Sequence, residues 1–248
     1  MRPLRSLPLA LLLMTVLAGT AAALPLPQIQ IGMSETAEGG SLSTALQIML
    51  GLTVLSLAPA ILILMTSFTR IVVVLGFLRH AMGTQQMPPN QLIVGLSLFL
   101  TMAVMTPVFQ QIHGEALAPY MAQEIDDREA LDRGVQPLKA FMLTHTQDRD
   151  LELFLRLGKQ EVPETRMETP LMTVVPAFVI SELKRAFQIG FVLYVPFLII
   201  DMVVASILMS MGMMMLPPVM ISLPFKVLLF VLVDGWNLVV RSLMGSFT

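Results

Sequence analysis

The 248-residue chain is 55% hydrophobic and 13% charged, with a mean hydropathy of +0.78, the composition of a membrane protein rather than a soluble one. A net charge of −2 argues against a nucleic-acid partner, and the lack of cysteine excludes disulfides and thiolate metal sites. Residues 1–23 read as a signal peptide: Arg2 and Arg5 precede an apolar run from Leu7 to Leu17, and Ala21-Ala22-Ala23 offers a small-residue cleavage site. An uncleaved anchor is the alternative, but the run is shorter than the ~20 residues of a spanning helix. Residues 24–40, with Pro25, Pro27 and Gly39-Gly40, form an irregular lead-in.

Residues 41–112 read as a first hydrophobic helical hairpin. No charge occurs between Gly39 and Thr69, and a helix capped near Ser41, Ser43 or Thr44 is expected to run to Met65, with Pro59 as a kink. Arg70 and Arg79 follow without an acid, which places this connection on the cytoplasmic side by the positive-inside rule. Asn90 is expected to cap a second uncharged helix from Gln91 to about Ile112.

Residues 113–185 form a charged helical insert, expected to be periplasmic. Between Glu115 and Arg185 lie 22 of the 32 charged residues, so this stretch faces water. Short amphipathic helices are predicted from Met121 to Arg133, stopped by Gly134, from Pro137 onward, and from Leu151 to Leu157 behind Asp148. Phe141, Phe154 and Leu155 line apolar faces that serve equally well a small internal core or a contact with another subunit.

Residues 186–248 form a second hydrophobic hairpin. Just before it, Glu182, Lys184 and Arg185 stand between apolar runs, and the three-residue spacing of Glu182 and Arg185 allows a local pair. Asp201, Lys226 and Asp234 are nearly isolated among apolar residues, which marks a water path, a pairing partner or an interface, although Lys226 can also snorkel to the headgroups from beside Pro224. Five of the seven residues from Met209 to Met215 are methionine, namely Met209, Met211, Met213, Met214 and Met215, and Pro217-Pro218 is expected to end the incoming helix near Leu216. Such a cluster is either apolar filler or a soft seal at a hairpin tip. No HExxH, GxSxG or Walker-type motif is present and the histidines are scattered, so neither an enzyme nor a bound cofactor or metal is expected. No internal repeat is evident, which weighs against a small-solute carrier using Asp201, Glu182 and Lys226.

Several long blocks together carry a resemblance: MTSFTRIVVVLGFLR (65–79), PPNQLIVGLSLFLT (88–101), PLKAFM (137–142), PAFVISELKRAFQIGF (176–191), PFLIIDMVVASILMSMGMMMLPP (196–218) and LPFKVLLFVLVDGW (223–236). In order and spacing they are similar to the FliP family of flagellar biosynthesis proteins, with the injectisome counterparts as near neighbours. The resemblance implies an all-α membrane protein of about four long hydrophobic helices in bent hairpins, sitting largely above the plane of the bacterial inner membrane in the flagellar basal body. It implies a homo-pentamer that joins FliQ and FliR subunits and further export-apparatus membrane subunits around a conduit for unfolded flagellar export substrates. It also implies that the five methionines line a constriction of that conduit, that Glu182 and Lys184, with neighbouring Arg185, make charge pairs between subunits, and that Asp201 and Asp234 serve assembly or packing.

Overall fold

The computed structural model describes residues 41–84, 87–213 and 216–247; the predicted signal peptide, the lead-in, Met214 and Met215 lie outside them. By contacts the chain divides into residues 1–50 and 51–248. In the first unit residues 41–50 are helical. The described residues contain helices and no strand, as an all-α membrane protein requires.

The helices are α1 (Ser41–Met65), α2 (Phe68–Ala81), α3 (Asn90–Met121, with a π-helical stretch at His113–Leu117), α4 (Asp127–His145), α5 (Asp148–Leu157), α6 (Leu171–Ser210), α7 (Pro218–Leu232) and α8 (Gly235–Gly245). Two of them, α3 and α6, are long and apolar enough to cross a bilayer, and the number rises to four if each of two bent pairs makes one crossing. The pairs are Gly51–Met65 with α2 and α7 with α8, each bent by 66°. At the second bend Asp234 adopts φ 50°, a left-handed conformation that Asp tolerates better than most residues.

The 40-residue α6 organises the second unit. At ~1.5 Å per residue it runs roughly 60 Å, about twice the ~30 Å hydrocarbon core of a bilayer, and its two halves join two different cores. Its N-terminal half buries Val174, Ala177 and Phe178 against Met142 and Leu143 of α4 and Leu151 and Leu155 of α5. Farther along, Ala186 and Phe197 meet Ile71, Val74, Leu75 and Leu78 of α2, Ile93 of α3, Phe230 of α7, and Val239 and Leu243 of α8. Helix α6 is therefore shared between the charged insert and the apolar hairpins, with no break at residue 185.

Three local expectations are corrected. Gly134 and Pro137 neither stop nor start a helix; both lie inside α4. A Cβ on Gly134 would lie 3.5 Å from that of Ala116, so this glycine permits close approach of α4 to the π-helical stretch of α3. The N-cap position of α3 is Pro89, and the Asn90 side chain accepts a hydrogen bond from Arg79 instead of capping. Helix α6 ends at Ser210 rather than near Leu216 because Gly212, at φ 74°, closes it in a Schellman turn. The Gly212 amide donates to the Met209 carbonyl and the Met213 amide to that of Leu208, at 3.1 and 3.0 Å. The proline pair only restarts the chain as α7.

The expectation of no internal repeat is corrected as well, and its weight against a carrier goes with it. The α2–α3 turn and the α6–α7 turn share the pattern Met-Gly-x-x-x-Met/Leu-Pro-Pro, at residues 82–89 and 211–218. Their glycines, Gly83 and Gly212, have the same φ of 74°. The two hairpins thus share a helix-ending glycine and a following proline pair.

Candidate functional site

The stretch Ser181–Arg185 of α6 places four polar side chains in three neighbouring groups of partners. Arg70 of α2 and Glu182 are both fully buried. Arg70 Nε donates to Glu182 Oε2 at 2.8 Å and Nη2 donates to Oε1, a bidentate pair. Its Nη1 donates to the carbonyl and hydroxyl of Ser246, at 2.7 and 2.9 Å, and the Phe247 ring centroid lies 3.8 Å from the guanidinium carbon. The C-terminal residues thus close over the pair.

Beside it, Ser181 donates to Asp150 Oδ2 at 2.7 Å and accepts from the Gln147 amide at 3.0 Å, while Lys184 donates to Asp150 Oδ1. Burial acts to raise the Asp150 carboxyl, but the bonds from Lys184 and Ser181 outweigh it and hold the carboxyl below its ordinary range. Arg185 faces His145 Nδ1 at 3.4 Å. Arginine only donates, so Nδ1 accepts and the imidazole is neutral with its proton on Nε2. Burial first, then the charges of Arg70 and Arg185, lower the His145 pKa from 6.5 to about 4.

The His145 environment predicts a pH dependence. The unfolded chain takes up this proton near pH 6.5 and the folded chain only near 4, so stability is highest above pH 6.5 and falls progressively down to about 4. His145→Phe retains ring contacts to Phe141 and Phe247 while removing the titration. The melting temperature of the variant is expected to lose the part of the pH slope between 6.5 and 4 that belongs to this residue; an unchanged slope would refute the assignment.

A second buried pair links the hairpins. Lys226 of α7 is 2% exposed; it donates to Asp201 Oδ2 of α6 at 2.6 Å and to the Ala81 carbonyl at the end of α2 at 3.2 Å. Ser222 donates to Asp201 Oδ1. Lys226 therefore does not snorkel.

Between Asp201 and Lys226 lies the methionine turn. Met209, Met211 and Met213 are 63%, 67% and 41% exposed, although Leu208 beside them is buried. Filler for this chain's own core would be covered; these side chains face outward.

The remaining predicted residues sort as follows. Leu155 is buried, and Phe141 and Phe154 pack on the same core as Phe178, so all three serve the internal core and Leu155 leaves no surface for another subunit. Glu182 pairs with Arg70, 112 residues away, rather than with Arg185. Arg70 consequently contributes no surface charge to the positive-inside argument, which is left with Arg79. Lys184 is exposed and Arg185 half-buried, so they retain surface for a partner. Asp234 sits at the α7–α8 bend without a side-chain cap bond. Sequence reasoning missed Arg70, Asp150, Ser181, Ser222 and His145 as members of these networks. The available signal was charge balance: a lone arginine in one apolar stretch and an acid in another require each other.

The FliP family profile matches residues 51–243. The chain belongs to the FliP family. It is 58% identical to the flagellar biosynthetic protein FliP of Bacillus subtilis over 88% of this chain and 98% of that one. It is 51% identical to the protein of that name in Caulobacter vibrioides, over 95% of this chain and 90% of the relative. The Aquifex aeolicus protein is 52% identical over 90% and 92%, respectively. The family match takes in α2 through α7 and most of α8, and so both buried pairs and the methionine turn.

Proposed function

We propose that this chain is a core subunit of the flagellar type III protein export gate. Five copies, with FliQ and FliR subunits and further export-apparatus membrane subunits, surround a conduit for unfolded flagellar substrates in the bacterial inner membrane and basal body. Residues 113–185 are the periplasmic insert between the two hydrophobic hairpins. Family membership and the flagellar names of the relatives favour this over the injectisome role. The observation that carries the reading is the outward methionine turn on a hairpin whose charges are already satisfied internally. Five copies of a flexible apolar turn can close on one another against ions and still yield to a passing chain of varied side chains.

A solute carrier fits less well. Glu182 and Lys226 are buried in separate pairs, and the cavity of about 450 Å³ beside Ile112, Leu117, Tyr120 and Leu131 contains none of Asp201, Glu182 or Lys226. The reading is of a conduit-forming protein rather than an enzyme. With FliQ and FliR co-expressed, the detergent-extracted complex is expected to run as a discrete multi-copy assembly by native mass; a monomer or dimer that ignores both partners would overturn the core-subunit reading. Replacing Met213, Met214 and Met215 together by alanine is expected to leave that mass unchanged and make the reconstituted complex leak ions. Normal ion tightness in the triple variant would remove the seal.

A further inference from the structure

Lys226 ties its own helix, α7, to two others. The hairpin α6–α7 brackets the methionine turn, with Asp201 about two and a half helical turns before its start and Lys226 after it; the bond between them spans 25 residues of chain. The second contact is to the other hairpin. Ala81 is the last residue of α2, where carbonyls without helical partners carry partial negative charge that an ammonium complements. At the adjacent Gly83 a Cβ would lie 3.6 Å from Lys226 Nζ and 3.5 Å from Val219 Cγ1, so the first tip is seated directly on the start of α7.

Stability alone does not account for this arrangement. A buried ion pair is often no better than well-packed apolar residues of the same volume, and such residues would not reach the Ala81 carbonyl. The repeat supplies an internal comparison. At an offset of 129 residues, the positions in the first hairpin that correspond to Asp201 and Lys226 are Val72 and Ser97. Ser97 donates only to the Ile93 carbonyl of its own helix, at 2.7 Å. A hairpin with the same helix-ending glycine and proline pair is therefore built without an ion pair at these positions, and the one carrying the methionines has it.

We infer that Asp201 and Lys226 are a positioning pair for the methionine turn: Lys226 clamps the turn's outgoing helix to its incoming helix and to the tip of the first hairpin, fixing where the turn stands. This rests on the turn acting as the constriction. The ammonium is suited to the task because its three donors point in different directions, and two are used here on groups from different hairpins.

The test uses the complex assembled with its partner subunits, read by native mass and by ion conductance after reconstitution. Lys226→Met alone strands a partly buried carboxylate and is expected to reduce assembly. The paired neutral variant Asp201→Asn with Lys226→Met removes both charges and is expected to assemble at parental mass yet conduct ions several-fold above the parent, because the tie to Ala81 is gone. Parental tightness in this assembled variant would make the pair merely structural and overturn the inference. Should that variant not assemble, Lys226→Arg decides: it keeps the charge and the Asp201 pair, but its broader head needs the space beside Gly83. It is expected to assemble and leak, and a tight complex would overturn the inference. The triple methionine variant is measured in parallel; if it stays tight while the pair variants leak, the seal has failed and not the clamp.

Discussion

Glu182→Ala is expected to destabilise the protein by about 3–5 kcal/mol, because it leaves the Arg70 guanidinium buried without its counter-charge. Arg70 keeps its bonds to Ser246 and its stacking on Phe247, but neither supplies a negative charge. The effect should appear as a large fall in the melting temperature of the detergent-extracted complex and in the amount that accumulates in membranes. Glu182→Gln keeps the shape and part of the hydrogen bonding and should lose less. Arg185→Ala is the informative contrast: local pairing at three residues' separation would make it as harmful as Arg70→Ala, whereas the bidentate pair with Arg70 makes Arg185, half-buried against His145, much the milder of the two. If Arg185→Ala proves the equal of Arg70→Ala, the pairing is wrong. Replacing both Arg70 and Glu182 by methionine should recover much of the single-variant loss, since the penalty arises from the stranded charge rather than from the absence of a pair.

The same pair illustrates what the sequence conveys. The order of apolar helices, the charged insert and the outlying acids and bases were legible because hydropathy and charge are summed properties of whole segments. The partner of Glu182 was not, since helical spacing suggests only neighbours and Arg70 lies 112 residues away. Gly134 and Pro137 misled for a related reason: their local preference to break a helix is overridden where α4 packs against α3 and α6. Pro217-Pro218 does not mark the end of α6, because the left-handed backbone of Gly212 closes the helix earlier in the chain. The methionine cluster was legible as a cluster, but its outward orientation follows from that turn geometry and from the burial of Leu208, not from composition.

Between them the two ion pairs also account for how a long helix serves two cores. In its first third α6 is locked to α2 by Glu182, and nearer its end it is locked to α7 and to the end of α2 by Asp201 through Lys226. Both locks tie α2 to the same helix, so α2 and the stretch of α6 from Glu182 to Asp201 should behave as one rigid element that carries the turn.

The bend that follows α7 depends on a glycine for a different reason, and its substitution is the second large effect expected. Gly235 opens α8, and a Cβ built on it would lie 2.3 Å from two atoms of the Phe230 ring, well inside contact distance. Phe230 is buried and flanked by Trp236 at 5.4 Å and Phe197 at 6.4 Å between ring centroids, so turning away from a new Cβ would press it on a neighbouring ring. Gly235→Ala would gain up to about 1 kcal/mol of helix propensity in a helix interior, and less at a first position. Forcing a methyl group into a filled core typically costs about 1–3 kcal/mol, so the clash should prevail. The variant is expected to melt lower than the parent, and adding Phe230→Leu should restore part of the loss by removing the ring that the new Cβ meets. If Gly235→Ala is neutral or stabilising, α7 and α8 must reach their 66° bend without the close seating of Gly235 on Phe230. If the second substitution adds its own loss with no recovery, the two positions do not act on one another.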